Sequence, residues 1–134
     1  MKILLDTNIC IALIKRKPPQ VLQKLQTYSV GEVAISSISV AELRFGASKS
    51  QQATQNHAAL DEFLLPLEVV DFDQAATRCY GDLRATLEKQ GTPIGALDTL
   101  IAAHALSLNL ILVTHNTREF KRVAGLAVED WIDG

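Results

Sequence analysis

Three acidic residues stand in stretches of the chain that are otherwise apolar. Asp6 follows a short run of Ile and Leu, Glu42 lies within ISVAELRFG, and Asp98 lies within GALDTLIAAHAL. An isolated buried carboxylate is costly, so it must be hydrogen-bonded, paired, bound to a metal ion or kept protonated. If the three acids converge in the fold, their mutual repulsion favours a cation between them. Oxygen ligands of this kind suit Mg²⁺, for which Mn²⁺ can substitute.

Each acid, taken singly, also has a simpler explanation that the sequence leaves open. Asp6 could cap the helix that follows it, by accepting hydrogen bonds from the first amides. Glu42 could pair with a Lys or Arg on an exposed helix face. Asp98 could be a first-turn acid stabilised by the helix dipole. Only the convergence of all three acids would distinguish a cation site from these alternatives.

A polar stretch late in the chain, VTHNTREF, offers further ligands. It follows an apolar run, and if that run is a strand beside the one that ends at Asp6, Thr114 and Asn116 would reach the same crevice. Asn116 can offer an amide oxygen. Glu119 would share its face if a helical turn follows. Either residue could complete a metal site, and Asn116 could instead cap that turn.

The elements expected to position these residues are short apolar strands that alternate with helices. Strands are predicted over residues 3–5, 33–35, 67–72, 110–114 and 126–131. Helices are predicted over residues 8–14, 20–28, 40–49, 55–65, 73–89 and 94–109. Continuously apolar strands separated by helices are typical of a parallel sheet that is covered on both faces. We therefore predict one α/β domain over residues 1–134, a three-layer α/β/α sandwich with a mostly parallel central sheet and its crevice at the carboxyl ends of the strands.

The bulk composition is that of an ordinary globular domain. Apolar residues make up 48% of the chain, charged residues 21%, and the net charge is −2. No apolar stretch is long enough to cross a bilayer and no signal-peptide cleavage site follows the first strand, so we expect a cytoplasmic protein without membrane contact. Cys10 and Cys79 are expected to be buried free thiols. The negative charge argues against a nucleic-acid partner, unless a bound metal ion reverses the sign of the site.

Four stretches, taken together and in order, resemble the PIN-domain nucleases and in particular the VapC toxins of type II toxin–antitoxin modules. They are ILLDTN, ISVAELRFG, GALDTLIAAHAL and LVTHNTREFKRVAGLAVEDW, and they span nearly the whole chain. The family's metal-binding acids correspond to Asp6, Glu42 and Asp98. PIN domains often have Asp where this chain has Asn116, which leaves Glu119 as the candidate substitute.

The resemblance implies a PIN-like fold, cleavage of RNA, often tRNA, a homodimer, and inhibition by a small VapB-type antitoxin whose tail enters the active site. An apolar surface for the antitoxin is expected on residues 9–14 and 21–25. As a hypothesis, Asp6 and Asp98 hold Mg²⁺, which activates a water for in-line attack on a phosphodiester, and Glu42 holds the ion through water or orients the nucleophile. Arg44 and Thr114 are predicted to contact the substrate phosphate. None of the three histidines is predicted to be catalytic.

Two other functions fit parts of the pattern. An acid after the first strand loosely resembles phosphatases with an aspartyl nucleophile, although those need a second acid where this chain has Asn8. A PIN-like domain with an incomplete site could instead bind RNA or a protein without cleaving it. The neutral Asn116 is the feature that favours this second alternative.

Overall fold

The computed structural model describes all 134 residues and has a central sheet of five parallel strands. The strands are β1 (Ile3–Leu5), β2 (Val33–Ser36), β3 (Glu68–Val70), β4 (Ile111–Val113) and β5 (Val128–Glu129). Their order across the sheet is β3-β2-β1-β4-β5, and every neighbouring pair is parallel. The predicted α/β class with a parallel central sheet is confirmed.

Seven helices connect the strands and cover the two faces of the sheet. They are α1 (Thr7–Lys15), α2 (Pro19–Leu25), α3 (Ser37–Lys49), α4 (Ala53–Leu64), α5 (Gln74–Lys89), α6 (Ala96–Leu108) and α7 (Thr117–Phe120). All six predicted helices are present, with α3 beginning three residues early because Ser36 accepts a hydrogen bond from the Ile38 amide and so caps it. No helix is both long enough and apolar enough to cross a bilayer.

β1 is central, and its burial follows from that position. Ile3, Leu4 and Leu5 are all fully buried, because strands lie on both sides and helices cover both faces. Ile3 and Leu5 pack into the core beneath α1, α2 and α4, whereas Leu4 packs into the core beneath α6. A strand buried on both faces shows no polar alternation, which is why the sequence reads as a continuous apolar run.

The carboxyl ends of β1 and β4 bring two polar residues together. The Asp6 amide donates to the Val113 carbonyl (2.8 Å), and the Thr114 amide donates to the Glu129 carbonyl (2.9 Å). These bonds continue the ladder one residue beyond each strand. Asp6 and Thr114 therefore leave the sheet side by side.

Several predicted boundaries and one predicted thiol differ from the structure. The fifth strand spans only two residues, because the Asp130 carboxylate accepts hydrogen bonds from the Ile132 and Asp133 amides and turns the chain. The second helix ends at Leu25 rather than at residue 28. Of the two free cysteines, Cys10 is buried as expected, and Cys79 is partly exposed.

His104 lies in the interior of α6, away from the acids of the crevice. It is about 1% exposed, its Nδ1 shares a hydrogen bond of 2.8 Å with the Ser36 hydroxyl, and its ring packs edge-on against Phe72. Its Nε2 has no partner in the protein. Burial lowers the pKa of His104, against the weaker opposing effect of Asp73 and Asp71. The imidazole is therefore a neutral core group.

The buried His104 predicts acid sensitivity of the fold. Because its pKa is lower in the folded than in the unfolded protein, its contribution to stability is complete above about pH 6.5 and is lost as the pH falls below that value. We expect the free energy of unfolding to fall more steeply below about pH 6.5 in the wild type than in His104→Gln. Urea titrations of both proteins from about pH 7.5 to 5.5 test this. Parallel pH profiles would contradict it.

Candidate active site

Asp6 is buried at the carboxyl end of β1, where it also begins α1. Its Oδ1 accepts a hydrogen bond from the Thr7 amide (2.8 Å), and its Oδ2 accepts one from the Thr114 hydroxyl (2.7 Å). Burial raises the pKa of Asp6, the two hydrogen bonds oppose that rise, and repulsion from Glu42 adds to it. The capping explanation is thus correct as far as it goes. It does not account for the second bond or for the nearby negative charge.

Glu42 reaches the same crevice from α3. Its Oε1 accepts a hydrogen bond of 2.9 Å from the hydroxyl of Thr7, the residue whose amide binds Asp6. No Lys, Arg or His forms an ion pair with Glu42. The surface ion-pair explanation for Glu42 is therefore wrong. The chain brings this carboxylate towards another acid instead of towards a base.

Asp98 lies in the first turn of α6 and forms a pair with Glu119 of α7. The pKa of Asp98 is raised to about 7, first by burial, then by the hydrogen bond with Glu119 and by repulsion from Asp6, Glu119 and Glu42. The pKa of Glu119 is lowered, chiefly because Asp98 donates to it. A helix dipole acting alone would lower the pKa of a first-turn acid. Burial and like charge outweigh the dipole at Asp98.

Asn116 connects this pair to the rest of the site. Its Nδ2 donates to Asp98 Oδ2 and to Glu119 Oε2, both at 3.1 Å, and its backbone amide donates to the Thr114 hydroxyl (3.0 Å). Its side chain makes no capping bond to α7, so the capping alternative is wrong. The amide directs its hydrogens at the two carboxylates, where a cation would also be attracted. Ligation of an ion through Asn116 Oδ1 would require the amide to turn over.

Neither of the two predicted phosphate contacts presents a free polar group to the crevice. Thr114 is fully buried, and its hydroxyl donates to Asp6, so it links two site residues and cannot reach a phosphate. The Arg44 guanidinium donates to Asp61 and, at 3.1 Å, to His57 Nδ1, both on α4. Arg44 is therefore held against α4 rather than beside Glu42.

The donor chemistry of the crevice fits a hard divalent cation. Its ligand atoms are carboxylate oxygens, and no basic side chain forms an ion pair with any of the acids, Asp6, Glu42, Asp98 and Glu119. Without an ion, the raised pKa of Asp98, which favours its protonated form, and the Asn116 amide offset part of the repulsion. No three of these acids have ligand atoms all within 4.8 Å of one another, so an ion would draw them closer or bind some of them through water. The tighter group, His115, Asp130 and Asp133, lies mostly exposed beyond β4 and β5.

Sequence and structural comparisons identify the family. The model of the PIN domain family matches residues 3–126. The tRNA(fMet)-specific endonuclease VapC of Shigella flexneri is 47% identical over 131 residues, 98% of each chain. The chain belongs to the VapC group of PIN-domain ribonucleases. Ribonuclease VapC2 of Rickettsia felis is 46% identical over 129 residues, 96% of each chain.

Single chains from solved VapBC complexes have the same fold over nearly their whole length. The VapBC2 complex of Rickettsia felis bound to a promoter DNA fragment matches with a TM-score of 0.91 and 44% identity, covering 98% of this chain and 99% of that one. The DNA-bound VapBC of Salmonella typhimurium matches with a TM-score of 0.92 and 43% identity over 98% of both chains. The predicted PIN-like fold is confirmed. Membership of a ribonuclease family argues against both the phosphatase and the binding module without activity, and PIN nucleases are in general metal-dependent.

Thr7 is the residue of this VapC site that the sequence motifs did not single out. It bonds both Asp6 and Glu42, which lie 36 positions apart in the chain. A hydroxyl directly after a buried acid at a strand end was the available signal. The residue of α3 that its hydroxyl contacts depends on how α1 and α3 pack together, and no local sequence pattern specifies that.

Proposed function

We propose that this chain is a Mg²⁺-dependent endoribonuclease that cleaves tRNA and is inhibited by a VapB-type antitoxin. The observation that carries the proposal is the connected set of carboxylates around the ends of β1 and β4, none of which forms an ion pair with a basic side chain. Two relatives, from Shigella flexneri and Salmonella typhimurium, are named tRNA(fMet)-specific endonucleases and are 47% and 43% identical to it. This supports initiator tRNA as the first substrate to test.

The site residues differ in how firmly the structure holds them, and we assign their roles on that basis. Asp6, fixed by two hydrogen bonds, offers a rigid oxygen, and Asp98 offers a second one once its proton is released. Glu42 and Glu119 flank these two, and Asn116 holds the Asp98–Glu119 pair together. When bound, a divalent ion supplies a water of lowered pKa and neutralises charge that develops on the phosphodiester. Because the carboxylates repel the substrate without that ion, the ion also makes RNA binding possible.

Exposed basic side chains of the two helices that begin at the crevice are suited to the RNA backbone. Those without ion pairs lie at the end of α1 and on or just after α7: Lys15, Arg16, Lys17, Arg118 and Lys121. Their charge offsets the net −2 of the chain locally. Aromatic residues make up only 5% of the chain, which argues against an extended base-stacking groove. Recognition of a folded RNA through its shape and phosphates fits better.

A cleavage assay with controlled ions tests the proposal. Purified protein is incubated with initiator tRNA in EDTA, then with excess Mg²⁺ or Mn²⁺, and the fragments are sequenced. We expect no cleavage in EDTA, defined cleavage when either ion is restored, and no hydrolysis of a phosphomonoester in any condition. Cleavage that persists in EDTA would contradict the ion requirement. Failure to cleave any tRNA with either ion would contradict the assigned activity.

An apolar groove beside the acids is the surface that we propose for the antitoxin. It has a volume of about 390 Å³, it opens next to Thr7 and Glu42, and the exposed Ile11 and Ile14 of α1 form part of its lining. The rest of the lining comes from α3 and α4. A segment seated here would reach the acids directly. The second predicted surface, over residues 21–25, offers less apolar area, because Val21 is fully buried and Leu22 and Leu25 pack partly against the core. We further propose that the chain forms a homodimer and acts in the cytoplasm.

A further inference from the structure

Thr7 donates hydrogen bonds to two crevice acids that lie on different elements, Asp6 at the end of β1 and Glu42 of α3. Its backbone amide donates to Asp6 Oδ1 at 2.8 Å, and its hydroxyl donates to Glu42 Oε1 at 2.9 Å. It is the first residue of α1, so its amide has no partner within the helix and is free to bind Asp6. The hydroxyl leaves the other side of the residue and bridges α1 to α3.

Glu42 depends on this hydroxyl for its position in the crevice. Asp6 accepts two hydrogen bonds, and Asp98 and Glu119 each accept one from the Asn116 amide. Glu42 accepts only the bond from Thr7 and has no ion pair. Its side chain is long, half-buried and repelled by the acids beside it.

The direction in which Glu42 would move is set by its surroundings. On one side lie the carboxylates, and on the other lies the open groove that Thr7 and Glu42 both line. Without a donor on the crevice side, repulsion and hydration both favour rotation of Glu42 towards the groove and solvent. A glutamate pointing outwards contributes nothing to a cation site.

We propose that the Thr7 hydroxyl is a positioning group that holds Glu42 in the crevice, so that Glu42 and Asp6 face the same divalent ion. The catalytic consequence of this inference rests on the proposed function. The effect of the Thr7 hydroxyl on ion binding can be measured without any cleavage activity. Partners that orient metal ligands typically change metal affinity or activity by about 10–100-fold when they are removed. We expect loss of the Thr7 hydroxyl to change metal affinity by a similar factor, because it would release Glu42.

Two substitutions separate the hydroxyl from the rest of the side chain. Thr7→Val keeps the shape and the backbone amide and removes the hydroxyl, whereas Thr7→Ser keeps the hydroxyl and removes the methyl group. Thr77→Val is the matched control, since the Thr77 hydroxyl donates to the Gln74 carbonyl on α5 (2.6 Å), outside the site. If Thr7→Val does not fold, as judged by circular dichroism, Thr7→Ala takes its place.

The first readout is the dissociation constant of Mn²⁺, measured by electron paramagnetic resonance of the free ion without RNA. We expect it to rise at least about tenfold in Thr7→Val and to stay within about threefold of wild type in Thr7→Ser and Thr77→Val. In a Glu42→Gln background, Thr7→Val should add less than about twofold, because the two changes remove the same ligand. An unchanged Mn²⁺ affinity in Thr7→Val, failure of Ser to restore it, or a full additional loss in the Glu42→Gln background would overturn the inference.

The second readout is cleavage of tRNA at a fixed, subsaturating Mn²⁺ concentration. We expect kcat/KM of Thr7→Val to fall at least about tenfold at this Mn²⁺ concentration and to approach the wild-type value as Mn²⁺ is raised, because the variant binds the ion more weakly. A loss of kcat/KM that does not diminish as Mn²⁺ is raised would overturn the positioning role. If the wild type cleaves no RNA, the proposed function fails, whereas the Mn²⁺ titration still decides the role of Thr7.

Discussion

Asp6→Asn is expected to abolish RNA cleavage without lowering the stability of the fold. The substitution removes the charge from the carboxylate that the structure holds most rigidly, and we expect a loss in kcat of more than about 100-fold, beyond what outer partners of metal ligands typically cost. The measurement is cleavage of initiator tRNA in excess Mg²⁺, with wild type and variant at equal concentration. Cleavage at the wild-type rate would contradict the assignment of Asp6 to the site.

The stability of the same variant distinguishes a functional acid from a structural cap. Burial and the charge of Glu42 raise the pKa of Asp6, so the stability due to Asp6 decreases as the pH rises through that shifted pKa. An Asn side chain carries no charge there, and its Oδ1 can still accept from the Thr7 amide. We therefore expect an unchanged or higher free energy of unfolding near pH 8 in EDTA. A large loss of stability would show that Asp6 is mainly a cap.

Asp73→Asn is the matched control for this experiment. Asp73 caps α5 in a similar way, with its Oδ1 accepting from the Ala76 amide (3.0 Å), but it is exposed and lies outside the crevice. Its substitution should leave cleavage unchanged. The pair of variants thus compares one capping aspartate within the crevice with one outside it.

Much of the fold and part of the site follow from the sequence, because both leave strong local signals. A fully apolar strand predicts burial on both faces. An acid at its end indicates the functional edge of the sheet, because hydrogen bonds or a cation must offset the cost of placing a charge there. Asp6 at the end of β1 and Asp98 in the apolar α6 stand out for this reason. Their convergence also depends on the strand order β3-β2-β1-β4-β5, which no local pattern in the sequence specifies.

The predictions for Arg44, Thr114 and Asn116 depended on side-chain direction, which the sequence motifs do not specify. Arg44 is close to Glu42 in sequence, but residues two apart on a helix point to nearly opposite sides, so Arg44 faces α4 and pairs with Asp61. Thr114 was placed at the crevice correctly, yet its position beside the central β1 buries it completely. The Asn116 amide is oriented by two carboxylates from elsewhere in the chain. Helical periodicity would have corrected Arg44, whereas Thr114 and Asn116 required the three-dimensional arrangement.

The Asp98–Glu119 pair predicts that ion binding and pH are coupled. The pKa of Asp98 is about 7 in the folded protein against 3.8 for an ordinary Asp, so between these values the folded state holds a proton that the unfolded state has released. Without an ion, this group makes the fold less stable as the pH rises through that range, by at most about 1.4 kcal/mol per pH unit and less where solvent screens the carboxyl. Above about pH 7 the ionised Asp98 is ready to bind a cation.

Mg²⁺ is therefore expected to raise the melting temperature much more at about pH 8 than at about pH 5.5, because at the lower pH it must displace the proton from Asp98. Melting curves with EDTA or excess Mg²⁺ at both pH values provide the measurement. Working above about pH 5 avoids the range in which Glu119, whose pKa is lowered, contributes with the opposite sign.

Two variants serve as controls for this prediction. Asp98→Asn should remove most of the pH dependence of the Mg²⁺ effect. Glu119→Gln should shift that dependence to lower pH, because Asp98 then loses the neighbouring charge that keeps it protonated. Equal stabilisation by Mg²⁺ at both pH values would mean that the ion binds without Asp98, and would place the cation elsewhere in the crevice.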